Sequence, residues 1–184
     1  AIGQCLNRRL AMDVSTQYDS PRFNNVAVDG YAYNFDELMA TNNFSLKLMD
    51  IEANAGGSAK ISLAKGHCIR VLTGARMPTG ADTVVMQEDV TITSSGTVTF
   101  PPDCKAHSNW RSQGEDVKAG QVIITKGQQI RPQDIGLAAA TGNTSLKVYH
   151  PVKVALFSTG NEIYELGEAL PEDGIYDVNR HLLK

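Results

Sequence analysis

"CIRVLTGARMPTGADTVVMQEDV", residues 68–90, decides how the rest of this chain is read. "CIRVLTG" and "DTVVMQEDV" are short and rich in β-branched residues, so both read as strands. The segment between them, "ARMPTGA", carries Pro78 and Gly80 and reads as a loop. Outward from this pair, residues 44–48 alternate apolar and polar, the period of a strand with one wet face. "TITSSGTVTF", residues 91–100, splits around Ser94, Ser95 and Gly96 as a hairpin. "ANAGGSA" (53–59) and "FPPDCKAH" (100–107) are loops by the same punctuation. Residues 44–100 therefore read as a compact β-rich unit.

Upstream stands "FNNVAVDGYAYNFDEL", residues 23–38. Its Asp29-Gly30 dipeptide predicts a type I′ hairpin turn, which needs positive φ at both central residues and hence glycine at position 30. "AIGQCLNRRLAMDV", residues 1–14, reads as the tail of a helix running into a strand, and the expectation is that the natural chain begins earlier.

Downstream, "QVIITKG" (121–127) reads as a strand. "RPQDIGLAAATG" (131–142) reads as a helix with Pro132 in its first turn, Gly142 at its end and Asp134 facing the positive end of the dipole. In "HPVKVALFSTGNE" (150–162) the run Val154–Phe157 does not alternate, which predicts a strand covered on both faces, as in a parallel sheet. "YDVNRHLLK" (176–184) opens a helix with Asp177 available as N-cap. Such a strand needs neighbours and covering helices beyond the residues that remain, so the chain is expected to be cut inside a third domain.

The bulk numbers exclude several classes. The 184 residues can bury a core without metals or disulfides, and 42% hydrophobic with 20% charged residues is the balance of a globular protein. A net charge of -3 argues against a general nucleic-acid surface. No apolar run reaches the roughly 18 residues of a membrane helix, and no charged-then-apolar leader opens the sequence. Cys5, Cys68 and Cys104 are odd in number and form no CxxC, which fits a reducing, cytoplasmic setting better than a disulfide framework. His67, Cys68, Cys104 and His107 are read as incidental pairs rather than a metal site.

Five segments read together, "FNNVAVDGYA", "IRVLTGARMPTGADTVVMQED", "RSQGEDV", "VALFSTGNE" and "IYDVNR", stand in the order and at about the spacing of the MoeA family of molybdopterin molybdenumtransferases, which includes the gephyrin E domain. The chain resembles the N-terminal half of that family over essentially its whole length. The resemblance implies an α+β, mostly β fold: an elongated N-terminal region over residues 1–149, with an inserted β-rich subdomain at about 22–112, then the truncated start of an α/β molybdopterin-binding domain over 150–184. It implies an enzyme that inserts molybdate into adenylylated molybdopterin and releases AMP with Mg²⁺ assisting, this chain being a fragment inactive alone. It also implies a homodimer whose cleft is shared between chains, with no nucleic acid and no membrane as partner. The alternative it leaves is a non-catalytic, gephyrin-like scaffold or dimerisation module.

Anionic substrates call for N–H groups and basic side chains to hold oxyanions, and for carboxylates to hold Mg²⁺ or activate an oxygen. The resemblance places Asp29 and Asp116 in the cleft as catalytic residues and Mg²⁺ ligands, and makes Glu162 the third catalytic carboxylate. Thr73, in a Thr-Gly turn at a strand end, either caps its own turn or faces the cleft. Arg111 either binds an anion or pairs with Glu115 or Asp116. Ser158, Thr159 and Gly160 follow the expected parallel strand, where open α/β sheets bind ligands. Asp177 and Asn179 open the last helix and complete the expected substrate-binding set. Ser112, Trp110 and Val178 depart from the residues usual in the family.

Overall fold

The computed structural model describes residues 1–57 and 60–183, so Ser58 and Ala59 of the expected "ANAGGSA" loop, and Lys184 of the expected last helix, lie outside the described residues. Among the described residues the strands are β1 (Val14–Ser15), β2 (Asn25–Val26), β3 (Gly30–Tyr33), β4 (Ser45–Ala53), β5 (His67–Val71), β6 (Thr83–Met86), β7 (Thr91–Ile92), β8 (Thr97–Thr99), β9 (Trp110–Arg111), β10 (Val122–Ile124), β11 (Ile163–Tyr164) and β12 (Ile175–Tyr176). The α-helices are α1 (Phe35–Met39), α2 (Pro132–Ala140) and α3 (Val178–Leu182); short 3-10 helices stand at Ile2–Gln4, within the expected helix tail, and at Gln87–Asp89, where the strand expected over 82–90 has already ended. Contacts divide the chain into two units, Ala1–Tyr149 and His150–Lys184.

The first unit is built on a six-stranded sheet in the order β6-β3-β5-β4-β8-β7. β4 and β5 run parallel, and every other neighbouring pair in this sheet is antiparallel. Both faces are covered, and the period of two is visible inside single strands. Ala32, Ile69, Val71 and Val84 pack on one face with Val26 and Ala75, while Tyr31, Tyr33, Cys68 and Val85 pack on the other with Leu38, Leu46 and Phe100. Double coverage is why β3 and β6 carry apolar runs with no wet face. The Tyr33 and Phe100 rings lie 4.6 Å apart, centroid to centroid, in a tilted pair. Such pairs contribute about 0.5–1.5 kcal/mol beyond burial.

A second core within this unit gathers β1, its antiparallel partner β10, and α2 around Leu10, Val14, Ile124, Ile130 and Ala138. α2 has the expected ends: Pro132 stands in its first turn, and Gly142, with φ of 90°, follows its C-cap Thr141. Asp134 does more than face the dipole. Its Oδ2 accepts the Arg131 backbone N–H at 2.9 Å and the Arg131 Nε at 3.0 Å, and its side chain is only 7% exposed.

Three features differ from the sequence expectations. Gly30 is not a turn residue: it begins β3, and it is absent from the positive-φ glycines. What position 30 excludes is bulk, since a Cβ there would lie 1.9 Å from the Val85 carbonyl oxygen of β6. The five-residue α1 was not expected, although Asn34 caps it by accepting the Glu37 N–H at 3.1 Å. Val154–Phe157 forms no strand. Its amides have no backbone acceptors among the described residues, and Val154 and Phe157 are each 83% exposed. A strand exists only when a neighbour takes its N–H and C=O groups, and in the second unit β11 and β12 pair with each other. The expected cap of α3 is present, Asp177 accepting the Arg180 N–H at 3.0 Å.

Candidate functional site

Asp29 lies in the bend that leads into β3, and Thr73 lies just past the end of β5, the neighbouring strand. The pairing of Gly30 with Val71 brings the two together. Both Thr73 donors converge on one oxygen: the backbone N–H reaches Asp29 Oδ1 at 2.7 Å and the hydroxyl reaches it at 2.6 Å. Those two bonds, hydroxyl first, hold the Asp29 carboxyl below the ordinary aspartate value. The Thr73 hydroxyl therefore serves Asp29 rather than its own turn, and Asp29 Oδ2 has no hydrogen-bond partner among the described residues.

Arg111 is placed by β9, which pairs with β2 so that Arg111 faces Asn25. Its guanidinium is shared between Glu115 Oε1, at 3.2 Å from Nε, and Asp116 Oδ1, which meets Nη2. Glu115, followed by Asp116, raises the Arg111 pKa, so this arginine stays charged. Glu115 also closes the loop, its second oxygen accepting the Ser112 N–H at 3.0 Å. Asp19, which nothing local in the sequence singled out, braces the same loop from 94 residues away, accepting Gln113 Nε2 at 2.6 Å and, through its other oxygen, Ala119 N–H at 2.8 Å. Asp29 and Asp116 share no hydrogen-bond partner, each being held by its own clasp.

The second unit collects the remaining expected residues. Ser158, Gly160, Asp177 and Arg180 line a cavity of about 350 Å³. The Asp177 carboxyl lies below the ordinary value, held first by the Ser158 side chain and then by the Arg180 N–H. Glu162 curls against Gly160, where a Cβ would lie 2.6 Å from its Oε2. Arg180 forms an ion pair with Glu165, which sequence reading did not single out although Arg180 ends the "IYDVNR" motif. Asn179 borders a separate cavity of about 530 Å³ together with Asp177. Thr159 has no side-chain hydrogen bond among the described residues. No three His, Cys, Asp or Glu side chains gather into a metal-holding cluster, and no helix is long and apolar enough to cross a membrane, among the described residues.

The chain as a whole is similar to known proteins. The chain is 36% identical over 183 residues to the molybdopterin molybdenumtransferase of Haemophilus influenzae, covering 100% of this chain and 45% of that protein. It is 33% identical over 186 residues to the molybdopterin molybdenumtransferase of Staphylococcus epidermidis, covering 44% of it. Two crystal structures of the molybdopterin biosynthesis moeA protein of Pyrococcus horikoshii superpose with TM-scores of 0.85 and 0.86 at 31% and 34% identity, over 99% of this chain and 47% and 49% of theirs. The chain thus spans about half the length of the curated relatives it matches. The family model described as MoeA N-terminal region (domain I and II) matches residues 1–142, and the chain accordingly belongs to the MoeA family.

Proposed function

We propose that this chain supplies the N-terminal half of a molybdopterin molybdenumtransferase, which inserts molybdate into adenylylated molybdopterin with release of AMP. Support comes from family membership together with one observation: Thr73 fixes one oxygen of Asp29 with two hydrogen bonds while the other oxygen is left for a ligand. A carboxylate so held is oriented and stays ionised, which is what positioning an attacking oxygen requires.

Each expected residue then has a task. Asp29 orients the reacting oxygen, and Thr73 positions Asp29. Arg111 holds Asp116 in one rotamer, so that Asp116 also presents one oxygen. In the second unit Ser158, Thr159, Gly160, Asp177 and Asn179 bind the pterin or phosphate portion of the substrate, with Glu162 beside them as the third carboxylate. Mg²⁺ fits this donor set, because Asp29 and Asp116 each keep one oxygen without a partner among the described residues. These two carboxylates would hold the ion together with substrate oxygens, the usual arrangement for Mg²⁺ at phosphate-transfer sites. When bound, the ion would neutralise charge on the phosphate oxygens.

The site is shared in a homodimer, Asp29, Thr73 and Asp116 of one chain complementing Glu162 of the other. Mixing full-length Asp29→Ala with full-length Glu162→Ala, each inactive alone, is expected to restore part of the AMP release. No recovery in verified mixed dimers counts against the shared site. The reaction itself is tested by AMP release from adenylylated molybdopterin and molybdate in the full-length protein, where Asp29→Asn and Asp116→Asn should each lower turnover about a hundredfold, near 2.7 kcal/mol of barrier. Wild-type turnover in both variants would remove these carboxylates from the chemistry.

A further inference from the structure

We propose that the cleft between Asn24, the Ala75–Ala81 loop and Gln113 is a docking site for a tetrahedral oxyanion, a phosphate group or molybdate, with Arg76 and Lys60 as its cations. As a subsite for the anionic substrate it rests on the function proposed above.

The cleft encloses about 390 Å³, and Asn24, Lys60, Arg76, Thr79, Gly80 and Gln113 contribute its polar lining, with no carboxylate among the residues that form it. That is a local exception in a chain of net charge -3. A smaller adjoining cavity shares Lys60 and Arg76 and adds Glu52, but the Glu52 carboxylate is engaged by Arg70 Nε at 2.9 Å. Neither Arg76 nor Lys60 has an ion-pair partner among the described residues.

Arg76 is held without being neutralised. Its guanidinium carbon lies 4.3 Å from the centre of the Phe23 ring, a contact that orients the cation and removes part of its water. Asn24 is oriented as well: its Oδ1 accepts the Gln113 N–H at 2.8 Å, so its amide nitrogen is the end left to donate. The Gly80 N–H has no acceptor among the described residues. The Gln113 amide nitrogen is already engaged by Asp19 at 2.6 Å, so the donors left to a ligand are the two cations, the Asn24 amide nitrogen and the Gly80 N–H, and with no carboxylate in the lining itself they match an anion carrying several acceptor oxygens.

The position is equally informative. Asn25 pairs with Arg111 on one side and bridges to Arg76 on the other, so Arg76 stands across a single strand from Arg111. Gln113 belongs to the loop that follows Arg111 and carries Asp116. An oxyanion held by Arg76 would therefore lie beside the Arg111–Asp116 clasp, on the unit that also carries Asp29.

Calorimetric titration of the 184-residue chain with inorganic phosphate at low ionic strength tests the site. Saturable binding is expected, weakened about tenfold or more in Arg76→Gln, as for loss of a charged hydrogen-bond donor. Lys60→Gln should act in the same direction, both variants should keep the wild-type melting temperature, and Asp29→Asn should bind phosphate normally. Absence of binding, or wild-type affinity in both Arg76→Gln and Lys60→Gln, overturns the proposal. Competition separates the sources: displacement by AMP at lower concentration than by phosphate identifies a phosphate ester, and displacement by molybdate identifies the free oxyanion, either result supporting the site. Undiminished AMP release by full-length Asp29→Asn would remove the proposed role of Asp29 in the reaction without touching this one, whereas wild-type phosphate affinity in both cleft variants removes only the oxyanion site.

Discussion

Thr73 and Asp29, 44 residues apart, are joined by two hydrogen bonds of 2.7 and 2.6 Å that end on the same carboxylate oxygen. Because the threonine supplies both donors, its hydroxyl and its backbone make separable contributions. Thr73→Val keeps the N–H and the shape but removes the hydroxyl, the first cause of the lowered Asp29 pKa. In that variant the Asp29 carboxyl is expected to titrate closer to the ordinary 3.8, measurable by NMR of the side-chain carboxyl carbon. Melting temperature should move little, since the group is at the surface, while AMP release by the full-length protein should fall about tenfold or more through the loosened carboxylate.

Gly30→Ala is expected to be among the most damaging single changes in the sheet. The added methyl would sit 1.9 Å from the Val85 carbonyl oxygen, and a strand backbone cannot rotate away as a side-chain tip can. Overpacking of this kind costs about 3 kcal/mol or more where the neighbour is rigid. Urea denaturation of the variant gives the value. Near-wild-type stability would mean that β3 and β6 are not so close.

Asp134 links stability to acid. Its folded pKa is lowered, chiefly by the Arg131 side chain, so its contribution is fully present above the unfolded value near 3.8 and is lost as pH falls through the lower folded value. Asp134→Asn should cost about 1–2 kcal/mol at neutral pH, the range of a lost helix cap and charged hydrogen bond. The same change should flatten the part of the acid limb below about pH 4 that this group creates. Denaturation midpoints for both proteins between neutral and strongly acidic pH measure the two effects.

The three cysteines should differ in reactivity. Cys68 is fully buried and its thiol is pushed up to about 12, chiefly by desolvation, so essentially no thiolate exists at neutral pH. Cys5 is also buried, while Cys104 is only partly buried. A thiol reagent applied to the native protein should modify Cys104 first, and Cys5 and Cys68 only after denaturant is added. Mass spectrometry of the peptides identifies the order, and early modification of Cys68 would contradict the packing of that sheet face.

Much of the secondary structure was readable because it is a local property. The strands around residues 68–90, the hairpin at 91–100, both ends of α2 and the Asp177 cap follow from side-chain period, turn chemistry and capping, which act within a few residues. The same local logic failed where a partner was needed. Asp29-Gly30 has the composition of a tight turn, yet β6 lies against it and makes position 30 a point of close approach. Val154–Phe157 has the composition of a buried strand, yet no neighbour takes its backbone groups. α1 is too short for its period to stand out, and only Asn34 and Glu37 signalled it.

By itself the sequence determined the family and the mostly β character, since these depend on residue type and order. Tertiary structure alone decided which of the candidate residues touch. Thr73 closes on Asp29, Arg111 on Glu115 and Asp116, Asp19 on the loop that holds them, and Arg76 stands across one strand from Arg111. Most of these relations span distances along the chain over which no local propensity acts. They exist because sheet pairing and core burial bring remote segments within hydrogen-bonding range, and only the folded chain specifies that pairing.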